Sequence, residues 1–145
     1  MELQECATRG CGLVEIFRQS FADHGSLPAV TDYSTRKTIT YADLAKRIAR
    51  LHLFFEAAGL RRGDKIALLG KNTSTWICTF MASLTYGTVV VPILHDFNPT
   101  DAQHIINHSD ARLLFVNDAI WEHLDFDLLP ELTAVVSLDT RKLVA

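Results

Sequence analysis

Four short, nearly continuous apolar segments constrain the fold of this chain more than any other feature of its sequence. They read KIALLG, VVVPIL, RLLFVN and AVVSL, and they recur between residues 65 and 138. Helical patterns of about ten residues separate them. Strands buried on both faces lack the apolar–polar alternation of half-exposed strands. The repeat therefore predicts an α/β fold, a mostly parallel sheet with helices on both faces and right-handed crossovers.

The residues that precede this repeat predict a helix and a small N-terminal β-hairpin. Large apolar residues recur at helical spacing and predict a helix over residues 12–24: Leu13, Ile16, Phe17 and Phe21. The next segment, PAVTDYSTRKTITY, alternates apolar and polar residues around a polar stretch at 34–37. This alternation is typical of two antiparallel strands joined by a turn.

A second helix is predicted to begin near Thr40, which with Asp43 comes close to a capping box, and to end at Gly59. Its apolar stripe indicates one buried face. Its opposite face carries three cations: Lys46, Arg47 and Arg50. We interpret this basic face as solvated, with an ion pair between Asp43 and Arg47. Contact with an anionic membrane surface is the alternative.

Composition and charge are those of a compact domain with no nucleic-acid partner. The 145 residues are 48% hydrophobic and 21% charged, which is enough apolar material for a core. Residues 1–71 carry a net charge of +3 and residues 72–145 a net charge of −6. This is not the electrostatic footprint of a nucleic-acid-binding protein. We expect one α/β subdomain over residues 1–145.

The cysteines and the first residues predict a cytoplasmic location. Cys6, Cys11 and Cys78 fit neither a disulfide framework nor a zinc site, and this suits a reducing compartment. The first fifteen residues contain charges of both signs and no apolar core, so they do not form a secretory signal.

A stretch of 23 residues without formal charge, 72–94, is long enough to span a bilayer. It nevertheless contains serines, threonines and an asparagine, and Gly87 and Pro92 interrupt it where a run of valines begins. A buried helix followed by a buried strand accounts for the same residues without placing polar side chains in lipid. We therefore predict a helix and a strand here.

The segment GDKIALLGKN raises the question of a phosphate-binding loop. Such a loop needs closer glycines and a Lys followed by Ser or Thr, whose hydroxyl reaches magnesium. Here six residues separate Gly63 from Gly70, and Asn72 stands where the hydroxyl is required. The segment is better interpreted as a turn at Gly63 and Asp64 followed by a strand, with Asn72 capping the next helix.

Two pairs of residues that contain histidine are candidate sites. His104 and His108 lie four apart on a predicted helix, but Ile105 stands where a zinc-protease motif needs Glu, so we predict no metal site. His95 and Asp96 follow the carboxyl end of a strand, where open parallel sheets place ligands. They form the best local candidate for a site, and a turn before the next helix is the alternative.

The remaining candidate residues are predicted to be structural. Ser74, Ser83 and Ser109 lack the glycine-flanked elbow of a hydrolase nucleophile. Trp76 and Trp121 are expected to fill core or interface. Four carboxylates are expected to be solvated: Glu122, Asp125, Asp127 and Glu131.

The order and spacing of several longer phrases carry a resemblance to a known family. TITYADLAKRIARLHLFFEAAGLRRGDKIALLGKN, Trp76, LTYGTVVVPIL and IINHSDARLLFV together resemble the amino-terminal portion of the adenylate-forming ligases, the acyl-CoA synthetase superfamily, between about residues 13 and 140. VVVPIL and IINHSDARLLFV resemble in particular its long-chain fatty acid branch.

The resemblance implies a ligase that joins a fatty acid to CoA through an acyl-adenylate, with ATP and Mg²⁺ as cofactors. The family's Ser/Thr/Gly-rich phosphate loop, Tyr-Gly-x-Thr-Glu element, ribose-binding Asp and adenylation Lys do not occur in these residues. We therefore assign no catalytic, cofactor-binding or metal residue. We expect a truncated, inert fragment of a longer enzyme, and none of these cofactors should bind it tightly.

Two other interpretations stay open from the sequence. One is an adenylate-forming ligase for a different carboxylic acid, and the other is a non-enzymatic, flavodoxin-like binding domain. For the ligase we also expect peripheral membrane contact of the parent enzyme and self-association of the fragment through uncovered apolar surface.

Overall fold

A computed structural model describes residues 12–145 of the chain, so Cys6 and Cys11 lie outside the described residues. The chain begins with helix α1 (Leu13–Asp23), strands β1 (Pro28–Thr31) and β2 (Thr38–Thr40), and helix α2 (Tyr41–Ala57). The remaining elements are β3 (Lys65–Leu69), α3 (Ser74–Tyr86), β4 (Val89–Ile93), α4 (Pro99–His108), β5 (Ala111–Val116), α5 (Asp118–Trp121), a 3₁₀ turn (Phe126–Leu128) and β6 (Ala134–Ser137).

Strands β3 to β6 form one parallel sheet in the order β4-β3-β5-β6. Strands β1 and β2 form a separate antiparallel hairpin. Both features confirm the predicted fold class. The apolar segments that the sequence identified are the four parallel strands, and PAVTDYSTRKTITY contains the hairpin.

Two apolar cores lie on opposite faces of the sheet, because alternate residues of each strand point to opposite sides. On one face, Ile66 and Phe115 pack with Phe55 of α2 and Met81 of α3. On the other face, Ala67, Leu114 and Val135 pack with two residues of α4: Ala102 and Ile106. The helices therefore cover both faces, as the nearly continuous apolar strands predicted.

The strand order creates a topological switch point between β3 and β5. From β3 the chain proceeds to β4 on one side, and from β5 it proceeds to β6 on the other. The connections that follow β3 and β5 therefore lead to opposite sides of the sheet. Open α/β sheets generally place ligands at such a position.

Local capping interactions define the helix ends. Thr40 and Asp43 form the capping box of α2, and Gly59 follows that helix with φ of 71°. Thr73, and not the predicted Asn72, caps α3, since its hydroxyl accepts a hydrogen bond from the backbone N–H of Trp76 at 3.2 Å. Gly87 ends α3 in the left-handed region, with φ of 94°.

The uncharged stretch 72–94 comprises α3, the turn at Gly87 and strand β4. This agrees with the predicted helix followed by a strand. Across residues 12–145, no helix combines the length and the apolar character needed to cross a membrane.

Candidate functional site

A polar network lies at the switch point of the sheet, at the carboxyl ends of β3 and β5. The side chain of Asn117, which follows β5, accepts a hydrogen bond from the backbone N–H of Lys71 at 2.8 Å. Its amide group donates to Asp139 Oδ1 at 2.8 Å, and the backbone N–H of Asp118 donates to Asp139 Oδ2 at 2.7 Å. The network thus ties together the segments that leave β3, β5 and β6.

Gly70, at the end of β3, lies against this network. A Cβ atom at this position would stand 2.5 Å from Asn117 Oδ1 and 2.5 Å from Leu138 Cδ1. Only a glycine fits there without displacing a neighbour. In the sequence GDKIALLGKN, the second glycine therefore permits close packing, and the amide that follows it already has a hydrogen-bond partner.

The first glycine of that segment has a different function. Gly63 has φ of 87° in the turn before β3, and the Asp64 carboxylate accepts a hydrogen bond from the backbone N–H of Arg61 at 2.7 Å. Asp64 also pairs with the guanidinium of Arg112 at 3.1 Å. These contacts confirm the interpretation of GDKIALLGKN as a turn and a buried strand.

A cavity of about 570 Å³ lies between α2, α3, the end of β6 and the segment that follows β6. Four apolar side chains form its floor: Leu51, Phe54, Phe115 and Val136. Four cations line it as well: Arg47, Arg50, Arg141 and Lys142. Its other lining residues are neutral. We call this space the basic cavity.

Cys78 is buried and also lines the basic cavity. Burial raises the pKa of its thiol to about 11, although the positive charges of Arg47 and Arg141 act in the opposite direction. The thiol is therefore protonated at neutral pH, and a protonated thiol is a poor nucleophile. Cys78 contributes apolar volume to the cavity wall.

Arg47 corrects the prediction of a solvated basic face on α2. Lys46 and Arg50 are exposed, but Arg47 is half-buried and faces the cavity. The predicted ion pair between Asp43 and Arg47 is wrong. Asp43 instead accepts hydrogen bonds from the backbone N–H and the hydroxyl of Thr40, at 3.2 and 3.0 Å, and these bonds lower its pKa.

The structure does not bring His95 and Asp96 into a site. Both are exposed in the loop after β4, which is an edge strand and lies away from the switch point. The loop ends in a helix cap, since the Asn98 side chain accepts a hydrogen bond from the backbone N–H of Asp101 at 2.8 Å. The alternative of a turn before the helix is therefore the better description.

His104 and His108 lie on the exposed surface of α4, with their rings stacked at 6.0 Å between centroids. In the part of the chain that the structure describes, no three His, Cys, Asp or Glu side chains are grouped so that they could hold a metal ion.

The three serines stabilise helices. Ser74 donates its hydroxyl to Asp32 Oδ2 at 2.6 Å and its backbone N–H to Asp32 Oδ1 at 2.7 Å, which joins the hairpin to α3. Ser83 and Ser109 donate to backbone carbonyls of their own helix. Sequence reasoning missed the function of Asp32, because its partner lies 42 residues further along the chain.

The tryptophans are packing residues. Trp76 stacks on Phe80 at 5.3 Å and Trp121 contacts Phe126 edge-on at 6.0 Å. Each packs against one of the two cores. The four carboxylates predicted to be solvated are exposed: Glu122, Asp125, Asp127 and Glu131.

The fold and the switch point define this part of the chain as an open parallel α/β unit with a hairpin before its sheet. The chain belongs to the AMP-binding enzyme family, whose model matches residues 17–144. This match confirms the resemblance to the adenylate-forming ligase superfamily.

Two curated relatives illustrate the range of the family. The chain is 34% identical over 82 residues to the fatty acid–[acyl-carrier-protein] ligase ScoC of Streptomyces coeruleorubidus, covering 57% of this chain and 16% of ScoC. It is 37% identical over 76 residues to a feruloyl-CoA synthase of Amycolatopsis, covering 52% of this chain and 16% of that protein. The chain thus spans about a sixth of the length of these two relatives.

The fold is similar to that of a solved structure. An inhibitor-bound crystal structure of the N-terminal domain of FACL13 from Mycobacterium tuberculosis matches with a TM-score of 0.78 and 24% identity. The match covers 88% of this chain and 34% of that one.

Proposed function

We propose that this chain is part of an ATP-dependent acid–thiol ligase. Such an enzyme converts a carboxylic acid into an acyl-adenylate and transfers the acyl group to the thiol of CoA. The proposal is supported above all by the family match over residues 17–144. The same match favours a ligase over a free-standing flavodoxin-like binding domain.

The Gly-Lys segment at the end of β3 does not fit the phosphates of ATP or their Mg²⁺. The only glycine followed by lysine is Gly70, and the backbone N–H of Lys71 already donates to Asn117. An amide with an internal partner cannot also cradle a phosphate without breaking that bond. We therefore propose that this unit is scaffold, with no catalytic, cofactor-binding or metal residue of its own.

For the substrate we propose a long-chain fatty acid, with CoA as the acceptor. The segments VVVPIL and IINHSDARLLFV, which form β4, the end of α4 and β5, support this choice. The relative ScoC, whose name specifies a fatty acid, also supports it. An aryl acid is the second candidate, because the feruloyl-CoA synthase is the more identical of the two relatives, at 37%.

The test is acid-dependent exchange of pyrophosphate into ATP. It should be run on the whole product of the native gene and on residues 1–145 alone, with hexadecanoate, octanoate and ferulate as acids. We expect exchange by the whole product with hexadecanoate and none by residues 1–145.

Each other outcome overturns a different part of the proposal. Exchange with ferulate alone would overturn the fatty acid, and no exchange with any of the three acids would overturn the ligase. Exchange by the 145-residue chain would overturn its description as scaffold. A cytoplasmic location is proposed on the cysteine usage, and peripheral membrane contact on the cations of α2. Cell fractionation tests both.

A further inference from the structure

We propose that the basic cavity is a binding site for a small amphipathic anion, a molecule with an apolar body and a carboxylate or phosphate head group. None of its lining residues belongs to the polar network of Lys71, Asn117 and Asp139. The inference does not depend on the substrate proposed above.

The charge of the cavity selects an anion. Four cationic side chains line it, and no lining residue is acidic. The ion pairs of residues 12–145 are Glu15–Arg18 and Asp64–Arg112, so no cation of the cavity forms an ion pair there. Arginine presents a planar set of donors that matches a carboxylate or a phosphate, and the partial burial of Arg47 weakens its screening by water.

The floor of the cavity selects an apolar body. Phe115 is buried in the sheet, and Leu51 and Phe54 of α2 are half-buried beside it. The volume of about 570 Å³ lies within the range of small-molecule sites, which are lined mainly by apolar side chains with a few polar groups that orient the ligand. A free inorganic anion would leave this floor uncovered.

Three elements far apart in sequence build the site. Arg47 and Arg50 lie on α2, Thr75 and Thr79 on α3, and Arg141 in the segment after β6. The backbone N–H of Arg141 donates to the carbonyl of Ser137 at 2.9 Å, which closes a turn directly after β6 and holds that segment beside the cavity. The site therefore depends on the folded chain.

The test is a titration of the 145-residue chain with decyl phosphate, followed by calorimetry and by NMR shifts of the backbone amides. We expect saturable binding with shifts at α2, α3 and residues 137–143. Inorganic phosphate and decanol each lack one half of the ligand, so each should bind at least about tenfold more weakly.

Paired variants isolate the charge. Arg47→Gln combined with Arg50→Gln should weaken decyl phosphate binding at least about tenfold. Lys46→Gln removes a neighbouring cation that does not line the cavity, and it should change the affinity less than about twofold. Thermal melts show whether the variants are folded. If the double variant does not fold, the salt dependence of the native chain decides, since added NaCl should weaken decyl phosphate binding and leave decanol unaffected.

Several results would overturn the inference. They are no saturable binding of decyl phosphate, equal affinity for decanol, or equal affinity in the arginine double variant. A further one is binding of the chain to vesicles of phosphatidylcholine and phosphatidylserine without binding of free decyl phosphate. That result would assign the arginines to a membrane surface. Because every measurement uses binding to the 145-residue chain, failure here is distinct from failure of the ligase proposal.

Discussion

At the scale of single residues, the tightest packing surrounds Gly70 at the carboxyl end of β3. The Asn117 side chain approaches this glycine because it must reach both the backbone N–H of Lys71 and the carboxylate of Asp139. This close approach of the Asn117 side chain to the backbone explains why residue 70 is a glycine.

Gly70→Ala should therefore lower the free energy of unfolding by about 1–3 kcal/mol, because the new methyl group overpacks a buried position. Urea titration followed by circular dichroism measures the change. Gly25→Ala is the matched control, since its new Cβ would meet its nearest neighbours at ordinary distances of 3.5 and 3.8 Å. Equal stability of the native chain and the Gly70 variant would contradict the packing described here.

Asp64 is expected to make the free energy of unfolding depend on pH in the acid range. The hydrogen bond from the backbone N–H of Arg61, together with Arg112, holds the pKa of Asp64 below its usual value of 3.8. As the pH falls, the unfolded chain is protonated at this carboxyl group before the folded one. The stabilisation by Asp64 is therefore complete above the usual value and is lost as the pH falls through the lower folded-state pKa.

Asp64→Asn should make the free energy of unfolding less dependent on pH below about pH 4. Urea titrations at a series of pH values measure this dependence. Asp96→Asn removes a carboxylate that is exposed in a loop and should keep the native dependence. A native pH dependence in the Asp64 variant would show that its two hydrogen-bonded contacts do not persist in solution.

At the scale of elements, α2 connects the hairpin to the sheet. Its capping box satisfies two backbone N–H groups at its first turn, those of Thr40 and Asp43, each through a bond of 3.2 Å. Its three buried residues belong to the core on one face of the sheet: Leu44, Ile48 and Phe55. A substitution at the cap should therefore lower the stability of the whole unit.

Thr40→Ala should lower the free energy of unfolding by about 1 kcal/mol, because it leaves the first turn without its side-chain acceptor. Thr40→Ser keeps the hydroxyl and should retain most of the stability. Thermal or urea unfolding compares the three chains. A loss as large in the serine variant as in the alanine variant would assign the effect to the methyl group and not to the cap.

At the scale of the whole molecule, several large apolar side chains remain at the surface of residues 12–145. Leu53 on α2 is 67% exposed and Leu94 after β4 is 62% exposed. Strand β4 forms one edge of the parallel sheet, and Val89 in it is 47% exposed. Apolar surface and an open strand edge both favour association.

We therefore predict that the 145-residue chain self-associates as its concentration rises, which sedimentation velocity measures. Leu53→Lys should shift the distribution toward monomer, because it places a charge on the exposed apolar surface. Ala49→Lys adds the same charge at an exposed small residue of α2 and should have less effect. A chain that sediments as a monomer at every concentration would contradict this prediction.

The sequence predicted most of the fold because its signals act over short distances. The apolar strands, the capping box of α2 and the glycine stops arise from neighbours within a few residues, and the structure contains each of them. The cap of α3 was assigned one residue early, to Asn72 instead of Thr73, because both residues carry a side chain that can accept the required bond.

The candidate sites could not be predicted in the same way. His95 and Asp96 are candidates in the sequence because they follow a strand, but only the strand order shows that this strand lies at the edge of the sheet. The polar network joins Lys71, Asn117 and Asp139, and no local pattern relates residues so far apart.

By itself, the sequence determined the class of fold, the identity of the strands and helices, and the family, since each depends on patterns that are contiguous along the chain. Only the tertiary structure decided which side chains meet. The basic cavity draws Arg47 from α2 and Arg141 from the segment after β6, and Ser74 finds its partner in Asp32 of the hairpin. The crossovers and the strand order produce these contacts, which join residues that are close in space but distant in the sequence.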